Sequence, residues 1–91
     1  MNLMKLKIIT PEKLVLEKDV DSVTLPGKEG QFTALNGHDL LVAELVSGNL
    51  FFRWTDSEGK PHREDYEIGP GLAEVIKSAA MIFVANAAKT G

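Results

Sequence analysis

Clusters of turn-forming residues interrupt this chain at short and regular intervals, and this spacing limits the structure that can form between them. Gly, Pro, Asn, Asp and Ser concentrate near residues 11, 18–21, 26–30, 36–38, 47–49, 56–61 and 69–71. A spacing of about 8–12 residues between turns is typical of the short strands of a sandwich or barrel. We therefore expect most of the chain to fold as an all-β structure.

The segments between the turns alternate apolar and polar residues, as half-buried strands do. Lysines alternate with Leu and Ile in the segment 5–9, near the N-terminus. Residues 50–55 and 62–68 flank a dense turn cluster and predict a hairpin with a loop of about five residues. The second of these strands is mostly polar, so Tyr66 and Ile68 are its expected buried anchors.

Two segments favour a helix instead. Residues 72–88 lack Gly and Pro, and their apolar positions follow the i, i+3, i+4, i+7 spacing of a helix. This pattern predicts a helix over 72–88; the alternative is two strands, 72–76 and 80–85, joined by a tight turn at residues 77–78. The apolar segment 39–46 is compatible with a helical turn and a half.

Composition excludes several classes of protein. The chain has 91 residues, ten Lys and Arg, thirteen Asp and Glu, a formal net charge of −3 and no cysteine. The length predicts a single domain, residues 1–91. A disulfide scaffold and a cysteine-ligated zinc module are excluded, and an acidic chain with scattered basic residues disfavours nucleic-acid binding. The longest uncharged run, residues 78–88, is shorter than the ~20 residues of a spanning helix, so we expect no membrane insertion.

No pattern of catalytic or cofactor-binding residues stands out. His38 and His62 lack the spacing of metal ligands and are interpreted as surface residues. The serines lie outside a G-x-S-x-G motif, and the glycines at 27–30 and 69–71 match neither a P-loop nor a dinucleotide fingerprint. We expect no catalytic residue, no cofactor and no metal, and a domain that works by presenting surfaces. A hydrolase that uses either histidine is an alternative.

The stretch Val23–His38 reads as a strand, a G-x-E-G turn, a short strand and an N-G-H turn, and it resembles the epsilon subunit of F-type ATP synthases. Further blocks that resemble the family lie at its spacing over roughly residues 3–87: Leu6–Glu12, Gly48–Leu50, Ile68–Val75 and Met81–Ala87. The chain departs from the family pattern at Thr33, Leu40 and Pro70, and typical members continue into a C-terminal helical hairpin.

The resemblance implies a β-sandwich of about ten short strands without the C-terminal helical hairpin, and it therefore favours strands over a helix at 72–88. It implies a non-catalytic rotor subunit of the central stalk, which couples the gamma subunit to the c-ring for proton-driven ATP synthesis. Its expected location is peripheral, at the cytoplasmic face of the bacterial inner membrane. Because relatives bind nucleotide through the hairpin, no nucleotide site is expected.

The resemblance also assigns contact residues by their position in the family pattern. Residues expected on the c-ring side are Glu29, Gln31, His38 and Asp39. Residues expected on the gamma side are Thr10, Val42 and Ala43. The alternative function is a free-standing ligand-binding β-sandwich module, which would display exposed aromatic side chains.

Overall fold

The computed structural model describes residues 3–91, apart from the side chain of His38, and these residues form ten β-strands. In chain order the strands are β1 (Met4–Ile9), β2 (Leu14–Val20), β3 (Ser22–Gly27), β4 (Gly30–Leu35), β5 (His38–Leu45), β6 (Gly48–Thr55), β7 (Pro61–Ile68), β8 (Gly71–Lys77), β9 (Ala79–Val84) and β10 (Ala87–Lys89). The predicted all-β sandwich of about ten short strands is confirmed. Over the described range, no helix is long and apolar enough to cross a membrane.

The strands form one continuous hydrogen-bonded path, β10-β7-β6-β3-β5-β8-β9-β1-β2, with β4 added to the free side of β3. All pairings are antiparallel except that of β1 with β9. The path turns at the β3–β5 junction, where only Gly27 and Leu45 pair, so its two halves face each other across one core. On the far side, Lys18 of β2 reaches Trp54 of β6 and closes the sandwich.

The core follows from the period-two alternation of the strands. In β1, Met4, Leu6 and Ile8 are fully buried, whereas Lys5 is exposed and pairs with acidic residues of β2. The largest fully buried side chains come from both halves of the path: Phe52, Met4, Leu6, Ile8, Leu25, Leu45, Leu50, Ile68, Ile82, Val20, Val23 and Val75. One shared core therefore holds the two layers together.

The helix predicted from the pattern of residues 72–88 is wrong, since β8, β9 and β10 occupy this region. Ala73 and Val75 point into the core, while Leu72 and Ile76 point outward, so burial follows a period of two. The chain reverses at Lys77, whose φ is 50°. The alternative of two strands joined by a tight turn at residues 77–78 matches this arrangement.

The structure confirms the predicted hairpin and contradicts the helical turn considered for residues 39–46. The hairpin is present as β6 and β7, and its anchors Tyr66 and Ile68 are buried. The segment 39–46 is not a helical turn, because residues His38–Leu45 form β5 and pair with β8. Pairing with β8 at His38 and again over Leu41–Leu45 provides backbone partners for most of this segment, which one and a half helical turns would not do.

Candidate partner-binding surfaces

The β3–β4 turn carries Glu29 and Gln31, two of the residues expected on the c-ring side, and both are exposed. Gly30 has a φ of +124°, a conformation that favours glycine, so the G-x-E-G pattern follows from the geometry of this turn. The Lys28 backbone N–H donates to the Glu44 carbonyl at 2.9 Å, and the Lys28 ammonium lies 3.6 Å from the Glu44 carboxylate. These contacts fix the turn against β5.

Asp39 lies at the opposite end of β4, after a turn at Gly37, and it is exposed. The Gly37 N–H donates to the Lys77 carbonyl at 3.0 Å, which ties this turn to the β8–β9 turn. The backbone of His38 pairs with Lys77, and the side chain of His38 lies outside the described residues.

The structure therefore does not gather the four expected c-ring residues into one cluster. Six residues of extended chain separate the two turns by roughly 20 Å. The strand β4 connects them; within the described sheet it pairs only with β3, and it exposes Gln31, Thr33 and Leu35 along its length. We call Glu29, the exposed residues of β4 and Asp39 the β4 stripe.

The three residues expected on the gamma side differ in accessibility. Val42 is 58% exposed on the outer face of β5, whereas Ala43 points inward and pairs with buried Ala73. Thr10 is only 8% exposed, and its hydroxyl lies 3.4 Å from both a Glu12 carboxylate oxygen and the Lys13 carbonyl. Of the three, only Val42 presents a side chain for docking.

Val42 belongs to a larger exposed apolar surface on β5, β8 and β9. Leu72, Ile76 and Phe83 lie on the same outer face and are 50%, 43% and 41% exposed. Leu72 pairs directly with Phe83, and Glu74 pairs with Val42, so the four apolar side chains lie on adjacent strands. Clustered exposed apolar side chains of this kind mark interaction sites. We call these four residues the apolar face.

Sequence reasoning missed Leu72, Ile76 and Phe83 as surface residues. Their spacing matches a buried helical stripe, and the pattern analysis placed them in a core. The weak alternation of Leu72, Glu74 and Ile76 was the signal that identifies them as one side of a strand.

Two shallow depressions extend these surfaces. One, of about 390 Å³, is almost entirely apolar and reaches from Phe83 to Thr10 between Pro11 and Pro70. The other, of about 380 Å³, lies between the β3–β4 turn and β5 and is lined by Glu29, Val42, Ala43 and other residues. The β4 stripe and the apolar face therefore adjoin along this second depression.

The aromatic residues are mostly buried or covered. Phe52 and Tyr66 lie in the core, while Trp54 is covered by the ring of His62, stacked at 4.2 Å, and by the ammonium of Lys18 at 3.8 Å. The exposed aromatic surface expected of a ligand-binding module is thus largely occupied. Among the described residues, no group of three or more His, Cys, Asp or Glu is placed to hold a metal ion.

The fold and these surfaces define a small β-sandwich domain with two adjoining candidate contact regions, one polar and one apolar. Residues 3–90 match the family described as ATP synthase, Delta/Epsilon chain, beta-sandwich domain. The chain therefore belongs to this family, and the resemblance read from the sequence motifs is confirmed.

Similar proteins include ATP synthase epsilon chains from several bacteria. That of Desulfatibacillum aliphaticivorans is 37% identical over 82 residues, which are 90% of this chain and 55% of that protein. That of Aliarcobacter butzleri is 46% identical over 57 residues, 63% of this chain and 46% of that protein. The chain spans about half the length of these relatives.

Solved structures share the fold. A chain of the Euglena gracilis mitochondrial ATP synthase (OSCP/F1/c-ring) superposes with a TM-score of 0.85 at 24% identity, covering 98% of this chain and 54% of that one. A chain of the Tetrahymena thermophila mitochondrial ATP synthase (central stalk/c-ring) gives a TM-score of 0.74 at 21% identity, covering 93% and 65%.

Proposed function

We propose that this domain is the part of an ATP synthase epsilon subunit that joins the gamma subunit of the central stalk to the c-ring. The observation that carries the proposal is the apolar face: Val42, Leu72, Ile76 and Phe83 are exposed together on adjacent strands of a domain whose family is known. Burial of such a surface in a lasting contact stabilises an assembly by roughly 25 cal/mol per Å² of apolar area.

In this proposal the two surfaces have different partners. The apolar face, extended by the depression that reaches Thr10, holds gamma in a permanent contact. The β4 stripe, with Glu29, Gln31 and Asp39 at or near its ends, faces the polar loops of the c-ring in a smaller and wetter contact. Since the two surfaces adjoin, one rigid domain transmits torque between the two partners without any bond chemistry.

The proposal places the domain on the periphery of the membrane-bound complex, at the cytoplasmic face of the bacterial inner membrane. It assigns no catalytic residue and no metal. The support for the location is the family membership.

Single-cysteine cross-linking in the assembled complex tests both contacts, because the chain has no cysteine of its own. With a cysteine in the polar loop of the c-ring, Gln31→Cys and Asp39→Cys are expected to cross-link to the ring. With a cysteine on gamma, Val42→Cys is expected to cross-link to gamma. Ala88→Cys, exposed on the far edge strand β10, is the matched control and should link to neither. Links to the control alone, or no links at all, would overturn the assignment.

A further inference from the structure

The outer face of β6 and β7 carries a cationic cluster that the coupling function does not use. Arg53 and Arg63 are directly opposite each other in the antiparallel pair, and both guanidinium groups lie over the ring of Phe51, at 5.4 and 3.7 Å. Like charges placed opposite each other on one face of a sheet repel. We call Phe51, Arg53 and Arg63 the arginine patch.

The carboxylate nearest to the patch is already engaged. Arg63 donates through Nε and Nη2 to the two oxygens of Asp65, each at 2.9 Å, and Asn49 donates to the second oxygen at 3.0 Å. Over the described residues, the exposed guanidinium of Arg53 makes no hydrogen bond or ion pair of its own, although its charge contributes to the lowered pKa of Asp65. On this face Asp65 and Glu67 balance the two arginines in formal charge, but only Arg63 is paired directly, which leaves the Arg53 guanidinium without a bound carboxylate.

The surroundings add apolar contact and, on β7, one further carboxylate. The row that crosses the sheet at Arg53 continues through Ser22 to Leu35, which is 50% exposed. Glu67 is the next acidic residue on this face of β7, beyond Asp65. The patch is thus a free guanidinium on an aromatic platform beside an exposed aliphatic side chain, the combination enriched in protein interfaces.

We propose that the arginine patch binds an exposed carboxylate-bearing segment of a partner protein, and that Arg53 donates two parallel N–H hydrogen bonds to the carboxylate. Arginine presents a planar fork that matches a carboxylate, and the ring of Phe51, 5.4 Å from the Arg53 guanidinium, adds a weak cation–π contact. A nucleic acid or an anionic membrane fits less well, because Asp65 and Glu67 balance the two arginines and the formal charge of the chain is −3. The inference does not rest on the coupling function, since it requires neither gamma nor the c-ring.

Peptide titration followed by ¹H–¹⁵N spectroscopy tests the proposal on the chain itself. The probe is a blocked six-residue peptide of alternating Thr and Glu, and the matched control peptide has Gln in place of Glu. We expect the Arg53 Nε–H resonance and the amides of Phe51 and Arg63 to shift with the Glu peptide only. Arg53→Gln is expected to weaken binding at least about fivefold, and Arg53→Lys by about threefold, since lysine keeps the charge and loses the fork.

Lys60→Gln is the control variant, because Lys60 is also an exposed cation and lies at the β6–β7 turn, 3.8 Å from the Glu58 carboxylate. It should change the affinity by less than about twofold, as expected for a distant surface charge. Equal shifts with the Gln peptide, equal weakening by Arg53→Gln and Lys60→Gln, or the same shifts with inorganic phosphate at equal concentration would each overturn the proposal. Unchanged dispersion of the core amides in each variant shows that the fold is intact.

Discussion

At the residue scale, Trp54 shows how this small domain closes its open side. Its ring lies between the ammonium of Lys18 on β2 and the imidazole of His62 on β7, and its indole N–H donates to Glu64 at 3.2 Å. No ladder of hydrogen bonds joins β2 to β6 in the described sheet, so side chains make this closure. His62 in turn lies 2.8 Å from Asp56, which explains a histidine that sequence analysis interpreted only as a surface residue.

Replacement of Trp54 tests this closure. We expect Trp54→Ala to lower the free energy of unfolding by about 2 kcal/mol, less than for a fully buried tryptophan because its ring is only half-buried. His62→Ala, which removes one covering ring and keeps Trp54, should cost less than about 1 kcal/mol. Urea unfolding monitors both. A Trp54→Ala variant as stable as the unsubstituted chain would show that the packing of Lys18 and His62 on Trp54 is not needed to close the sandwich between β2 and β6.

A second prediction at the residue scale concerns the stability of the fold at low pH. Hydrogen bonds from Arg63, and then from Asn49, lower the pKa of Asp65 from 3.8 to about 2. Because the folded pKa lies below the unfolded one, ionised Asp65 contributes stability that is present above about pH 4 and lost as the pH falls towards 2. We expect Asp65→Asn to give a shallower loss of stability than the unsubstituted chain between about pH 5 and 2.

The matched variant for this prediction is Arg63→Gln, which removes the principal cause of the lowered pKa and keeps the carboxyl group. Its stability should also depend less on pH over the same interval. Urea midpoints measured at each pH provide the comparison. If the midpoints of the unsubstituted chain, Asp65→Asn and Arg63→Gln fall in parallel with pH, the assigned contribution of Asp65 to stability is contradicted.

At the scale of the elements, the sequence alone predicted the strands that have one buried, apolar face and one exposed, polar face. In β1 one face is buried and the other is charged, so alternation is clear, and the hairpin β6–β7 is marked by its turn cluster. In β8 and β9 the outward face is itself apolar at Leu72, Ile76 and Phe83. Apolar residues on both faces erase the alternation and leave a spacing that imitates a helix.

The candidate surfaces were also only partly predictable from the sequence. The G-x-E-G motif located the turn that exposes Glu29 and Gln31, because a motif specifies local geometry. The burial of Thr10 was not predictable, since it depends on how the turn after β1 folds back so that Glu12 and Lys13 contact the hydroxyl. The pairing of β4 with β3 alone, which turns separate residues into one stripe, is a property of the topology and not of any segment.

The turn between β8 and β9 gives an element-scale prediction. Lys77 has a φ of 50°, where glycine is unstrained and other L-residues are not. We expect Lys77→Gly to be at least as stable as Lys77→Ala, measured by thermal unfolding. In a helix the order would reverse, with glycine about 1 kcal/mol less stable than alanine. A clear preference for alanine would contradict the strand–turn–strand structure of this region.

At the scale of the whole molecule, the outer faces of the sandwich are unlike. The face of β5, β8 and β9 bears the four exposed apolar side chains together with Glu44 and Glu74, whereas the face of β4, β3, β6 and β7 is mostly polar and bears the arginine patch. The sheet path places these faces on opposite layers, with the β3–β4 turn at the boundary. A domain built this way is suited to bind several partners at once through one rigid core.

The affinity of the chain for an isolated gamma subunit tests the central claim most directly. Leu72→Lys places a charge in the middle of the apolar face, and Leu35→Lys makes the same change on β4 at a residue with the same 50% exposure. We predict that calorimetry detects binding of the unsubstituted chain and of Leu35→Lys, and that Leu72→Lys weakens binding by about tenfold or more, because the contact with gamma would desolvate the added charge even with Glu44 opposite it. Equal affinities for all three chains, or no binding of any at micromolar concentration, would contradict the account.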